Sequence, residues 1–109
     1  MPATYEILGQ ISPTANTLTN VFITGASSSA IVGTITIHNF SDSNASYSLV
    51  VRPTATTLNT QHFIIRGGVL PARELITITG AVTMNANTIL AANTNSGSIS
   101  FNAYGVEIS

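Results

Sequence analysis

The chain has 109 residues, 44% of them hydrophobic and only 6% charged, with a formal net charge of −1 and neither cysteine nor tryptophan. Arg52, Arg66 and Arg73 are its only basic residues apart from two histidines, too few for the wide basic stripe that a phosphate backbone requires. Without thiols there is no disulfide framework and no thiolate zinc site, and no segment approaches the ~18 apolar residues of a membrane-crossing helix, so nucleic acid and membrane are not expected as partners.

The dominant period along the chain is two. TYEILGQI sets Tyr5, Ile7 and Ile11 on one face, with Glu6 and Gln10 opposite. Leu18 to Thr24 is apolar on both faces. AIVGTITIHN places Ile31, Ile35 and Ile37 on one side and Thr34, Thr36 and His38 on the other. SYSLVVRP repeats the scheme with Tyr47, Leu49 and Val51 inward. Between the last two lies NFSDSNA, whose short polar side chains bond nearby backbone and favour a turn, so this reads as the clearest hairpin.

QHFIIRG and GVLPARELITITG come next, followed by AVTMN and NTILAAN across an Asn-rich link. Pro13, Pro53 and Pro71 fall at or beyond strand ends, where a missing donor does least harm. No apolar stripe at period 3.6 runs for ten residues. The expectation is one domain over 1–109: an all-β, antiparallel sandwich of about seven to nine short strands, jelly-roll or immunoglobulin-like.

The last segment, SISFNAYGVEIS, changes phase. Ile99, Phe101 and Ala103 are the apolar positions of its first half, and Tyr104, Val106 and Ile108 those of its second. A bulge or a sheet-to-sheet corner at Ala103, Tyr104 and Gly105 explains this, since an extra residue resets the alternation and glycine tolerates the geometry. Two strands with a tight turn at Gly105 is the alternative.

Chemistry is sparse. His38 and Asp42 lie near many serines, but no nucleophile elbow accompanies them. His62 has no HxH partner, and Glu6 and Glu107 could meet only if the two chain ends form adjacent strands. Gly67–Gly68 precedes neither a lysine nor a helix and is a turn rather than a phosphate loop. The two Asn-x-Ser sequons at Asn39 and Asn44 are chance matches without a secretion signal. No catalytic, metal or cofactor residue is assigned, and an enzyme is not expected.

What stands out is apolar side chains on faces that alternation places outside. Val50 and Arg52 share one such face. Ile64 lies between His62 and Arg66, Leu8 between Glu6 and Gln10, and Phe40 opens a polar turn. On a surface with so little charge, against about 25% in ordinary soluble domains, these are candidates for a protein interface, and a near-neutral exterior favours association.

The opening LGQ followed by Pro13 and TLT, the VVRP after the central strand, QHFI, and the closing SFNAYGVEIS resemble a family of small bacteriophage virion structural proteins. The resemblance spans essentially the whole chain. It implies a non-enzymatic β-sandwich mounted on the particle, as a capsid decoration (cement) subunit bound to the major capsid protein or as a tail, collar or fibre part. In that second role it would act as an adaptor or host-surface carbohydrate binder. It also implies a place in a virion assembled in the host cytoplasm; a homo-oligomer is expected, with a trimer the expected form because closed symmetric oligomers are common. With no lysine, the chain cannot form a Lys–Asn isopeptide crosslink, so any capsid stabilisation is non-covalent. A free-standing carbohydrate-binding module is a further alternative, opposed by the scarcity of aromatics for stacking.

Overall fold

A computed structural model describes residues 5–54 and 56–108. The strands are β1 (Tyr5–Ile11), β2 (Thr19–Ile23), β3 (Ser29–Asn39), β4 (Ala45–Pro53), β5 (Phe63–Leu70), β6 (Leu75–Met84), β7 (Thr88–Thr94) and β8 (Ile99–Ile108), with one 3-10 turn at Thr60–His62. They form two antiparallel four-stranded sheets. Sheet 1 has the order β1-β8-β3-β6, and sheet 2 the order β2-β7-β4-β5.

The pairing is nested, with β1 beside β8, β2 beside β7, β3 beside β6 and β4 beside β5. Such nesting is the winding of a jelly roll. An immunoglobulin sandwich sets its first two strands side by side in one sheet, whereas here β1 and β2 lie in different sheets.

The expected hairpin between β3 and β4 is therefore corrected. The two strands belong to opposite sheets, and residues 40–44 carry the chain from one layer to the other. Period-two burial does not distinguish the cases. Ile35 and Ile37 of β3 and Tyr47 and Leu49 of β4 are buried whether the strands pair edge to edge or stack face to face.

Phe101, Ile37, Leu49, Leu70, Met84, Leu90, Ile99 and Val32 are fully buried and join one apolar cluster between the sheets. Each such side chain contributes about 1.5–3 kcal/mol relative to exposure. A second, smaller cluster lies on the outer face of sheet 2. There Val50, Ile89 and Ala91 are covered by Leu18, Leu58 and Phe63, as the β4–β5 connection folds back over its own sheet.

The expected irregularity at Ala103–Tyr104–Gly105 is also corrected. β8 runs unbroken from Ile99 to Ile108, with Ile99, Phe101, Ala103 and Gly105 all inward. Its neighbours carry the extra residues. Ile7 and Gly9 of β1 face Tyr104 and Ala103, which leaves Leu8 over. Val32 and Thr34 of β3 face Gly105 and Tyr104, which leaves Gly33 over. β6 answers the same step of β3 with Val82 and Thr79, so Gly80 and Ala81 intervene. Two bulged strands, β1 and β3, thus flank the regular β8, and β6 carries its own irregularity beyond β3 at the same level of sheet 1.

Gly105 explains why the regular strand needs a glycine there. A Cβ at this position would fall on the carbonyl oxygen of Ile31 and crowd the Cα of Val32. The bulge in β3 presses its backbone toward β8, and only a residue without a side chain fits.

Candidate protein interface

The residues singled out from sequence do not form one surface. Val50, expected on an open face, is 0% exposed and belongs to the small cluster beneath the β4–β5 connection. Its neighbour Arg52 is half-buried there and donates from Nη1 to the Thr56 carbonyl at 2.8 Å. Both positions do point away from the main core, but a loop covers that side. Leu8 is the bulged residue of β1 and packs against the main core rather than facing out.

His62, Ile64 and Arg66 gather at the β5 edge of sheet 2. His62 accepts at Nδ1 from the Asn59 backbone N–H (3.0 Å), closing the 3-10 turn. The Arg66 guanidinium stacks 4.9 Å above the Phe63 ring, and Ile64 is exposed. Phe40 is exposed in the inter-sheet connection, its ring 6.1 Å from that of His38.

A larger surface was missed. On the outer face of sheet 1, below the row of bulges, the strands align apolar side chains in register. Tyr5 faces Val106, which faces Ile31; Ile7 faces Tyr104; Ile108 extends the row beyond them. Tyr5 is 61% exposed, Ile7 57%, Ile108 46% and Ile31 43%, with Tyr104 and Val106 half-exposed between them. Cross-strand neighbours on one face lie close enough to act as a continuous surface. None of these six side chains is charged.

The tyrosine is held in place. Its hydroxyl lies 3.1 Å from Thr34 Oγ1, which spans from β1 across β8 to β3. A Cβ on Gly33 would collide with the Tyr5 hydroxyl, so the glycine of the β3 bulge makes the space that the ring occupies. Above the bulges the same face turns polar. Gln10 Nε2 donates to Asn102 Oδ1 at 2.8 Å, and Thr36, Thr77 and His38 lie around them, with exposed Leu75 paired to His38 at the margin.

The signal for this patch was present in the sequence. Where a strand carries apolar residues in both phases, both faces are apolar: Ala103 inward with Tyr104 outward, Val32 inward with Ile31 outward, Leu8 inward with Ile7 outward. The apparent change of phase in the C-terminal segment is this two-sided apolarity.

Glu6 and Glu107 do fall on neighbouring strands, yet among the described residues no three of His, Cys, Asp or Glu come together as a metal site would require. The ion pair between Arg73 and Asp42 joins two exposed side chains at the turns beside β6 and β3.

The fold superposes on a chain from the acidic stable capsid structure of Helicobacter pylori bacteriophage KHP30, with a TM-score of 0.51 and 13% sequence identity. The match covers 98% of this chain and 93% of that one, so the two are of similar size. A chain of infectious bursal disease virus, Gx strain, matches at a TM-score of 0.46 and 10% identity, over 97% of this chain and 31% of that much longer one. No known family matches the chain, and no curated protein matches it in sequence. At 13% identity the likeness to the KHP30 chain is one of fold.

Proposed function

We propose that this protein is a non-enzymatic structural subunit of a bacteriophage virion, and that it decorates the head by docking the apolar patch of sheet 1 on the major capsid protein. The observation that carries this reading is the patch itself: Tyr5, Ile7, Ile31, Tyr104, Val106 and Ile108 in register on one rigid face of a chain with almost no charge. Contiguous exposed apolar surface of this kind marks a protein-binding face. The KHP30 likeness supports the reading, because a chain of similar size and fold comes from a phage capsid structure.

Docking would bury the patch across joints between shell subunits and oppose their separation. The attachment is non-covalent, since the chain offers no lysine for an isopeptide bond. Many identical copies make modest individual contacts sufficient. We place the subunits as trimers at local threefold positions, closed rings being a common solution for identical chains.

The test is mass spectrometry of separated heads and tails from purified particles. Decoration requires the chain in the head fraction at hundreds of copies. A few to dozens of copies confined to tails would replace this reading with that of an adaptor or fibre component. Absence from both fractions would end it.

A further inference from the structure

The side of the sandwich opposite the apolar patch carries a polar notch. It lies on the outer face of sheet 2, where Ser48 of β4 stands opposite Asn93 of β7. Ser46 and Asn95 extend the two strands past this pair, and Asn16 of the β1–β2 connection closes one side, its N–H bonded to the Thr94 carbonyl at 2.7 Å. The cavity holds about 110 Å³.

Hydrogen bonding leaves its lining groups half-used. Ser48 Oγ accepts from the Gly67 N–H at 3.1 Å, so its own proton is free to donate. Asn95 Oδ1 accepts from the Ser46 N–H at 3.0 Å, leaving its amide hydrogens. Asn93 Oδ1 is buried and accepts no hydrogen bond among the described residues. Buried polar atoms ordinarily find partners, and this oxygen, on a residue that lines the notch, has its accepting capacity unfilled.

We propose that this notch binds a neutral saccharide through its hydroxyl groups. The notch offers two donors and one acceptor at close quarters, and a sugar hydroxyl both donates and accepts, so vicinal hydroxyls answer all three. None of Arg52, Arg66, Arg73 or the acidic residues lines the cavity. A phosphate, sialate or ammonium group would therefore lose hydration without gaining a counter-charge. The volume admits one edge of a single sugar ring rather than a peptide. The proposed function enters only through direction: a chain docked by sheet 1 turns sheet 2 away from the particle, toward whatever surface the particle meets.

The test uses the free, full-length protein, so its result does not depend on where the chain sits in the particle. Backbone amide NMR spectra are recorded while glucose, galactose, mannose and N-acetylglucosamine are each added in large molar excess. Binding by at least one of them gives saturable shifts at Ser46, Ser48, Asn93 and Asn95. Ser48→Ala and Asn93→Ala each weaken that apparent Kd about tenfold, as loss of one good neutral hydrogen bond would. Glucuronate binds no more tightly than glucose. Absence of a saturable shift with every sugar, meaning that water alone fills the notch, overturns the proposal. So do shifts that persist unchanged in both variants. Either variant alone suffices should the other fail to fold.

Discussion

The side-chain amide of Asn39, at the end of β3 in sheet 1, donates to the carbonyl of Leu70, at the end of β5 in sheet 2, at 3.2 Å. The same nitrogen reaches the carbonyls of Ser43 (2.8 Å) and Pro71 (3.2 Å), and its oxygen accepts from the Ser41 N–H and hydroxyl at 2.9 and 2.7 Å. One fully buried carboxamide thus ties the β3–β4 connection, the β5–β6 turn and both sheets together.

Removing it leaves several backbone groups without partners in a place closed to water. Asn39→Ala is expected to cost about 2–4 kcal/mol, more than one ordinary hydrogen bond, because each buried unsatisfied group adds its own desolvation penalty. Asn39→Asp keeps the shape but replaces the donor nitrogen with a carboxylate oxygen facing three carbonyls. It is expected to be worse than alanine at neutral pH and to recover partly in acid, where the carboxyl can donate. Urea unfolding of the two variants at both pH values checks the order.

Gly105 permits a similar comparison within one residue type. A methyl group there meets the Ile31 carbonyl and the Val32 Cα, which are backbone and cannot swing aside, whereas at Gly97 it meets nothing. Gly105→Ala is expected to lower stability by about 1–3 kcal/mol or more, as overpacking does, and Gly97→Ala to leave it within about 0.5 kcal/mol. Equal melting temperatures for the two would show that β3 and β8 are not pressed together as the register requires.

These positions show what the sequence made legible. Inward residues such as Ile35, Ile37, Tyr47, Leu49 and Phe101 follow from alternation, because sheet geometry admits no other period. The bulges at Leu8 and Gly33 do not follow. One extra residue in a strand leaves no compositional mark, and the seeming phase change in β8 comes instead from apolar residues on both of its faces. The cover over Val50 was hidden for another reason. Alternation assigns no strand to TATTLNTQ, and only tertiary structure shows Leu58 folding back from it onto sheet 2. The interface candidates drawn from alternation inherited both errors.

Tyr47 supplies a dependence on alkaline pH. Burial pushes its phenol above the ordinary value near 10, because the low-dielectric surroundings disfavour the charged form. Below about pH 10 the phenol is neutral whether the chain is folded or not, and the contribution is fully present. At higher pH the unfolded chain loses its proton first. It then binds fewer protons than the folded chain, and stability falls as pH rises. Tyr47→Phe removes the ionisation while keeping the ring. Its melting temperature is expected to match the parent at neutral pH and to fall less steeply in alkali.

The patch and the small outer cluster make opposite demands on function and stability, and this contrast is the sharpest test of the proposed docking face. Ile7 is exposed and Val106 half-exposed on the outer face beside Tyr5 and Tyr104, away from the core, so Ile7→Asp with Val106→Asp changes little that the folded chain needs. Surface changes of this kind usually stay within about 0.5 kcal/mol each. Yet two carboxylates placed in the patch would have to be desolvated without partners when it is covered, which disfavours docking strongly. Val50→Ala should do the reverse. It empties space beneath Leu58 and Phe63, at a cost of about 1–3 kcal/mol, but leaves the face of sheet 1 untouched. Co-sedimentation with particles lacking the native subunit, run beside thermal melts, separates the two. The double aspartate variant is expected to melt normally and stay in the supernatant, and the Val50 variant to melt early and still sediment with the particles when kept below its transition. If the aspartate variant bound as well as the parent, the docking face would have to be sought elsewhere, first at the β5 edge, where Ile64 and the stacked Arg66 and Phe63 lie exposed or half-exposed.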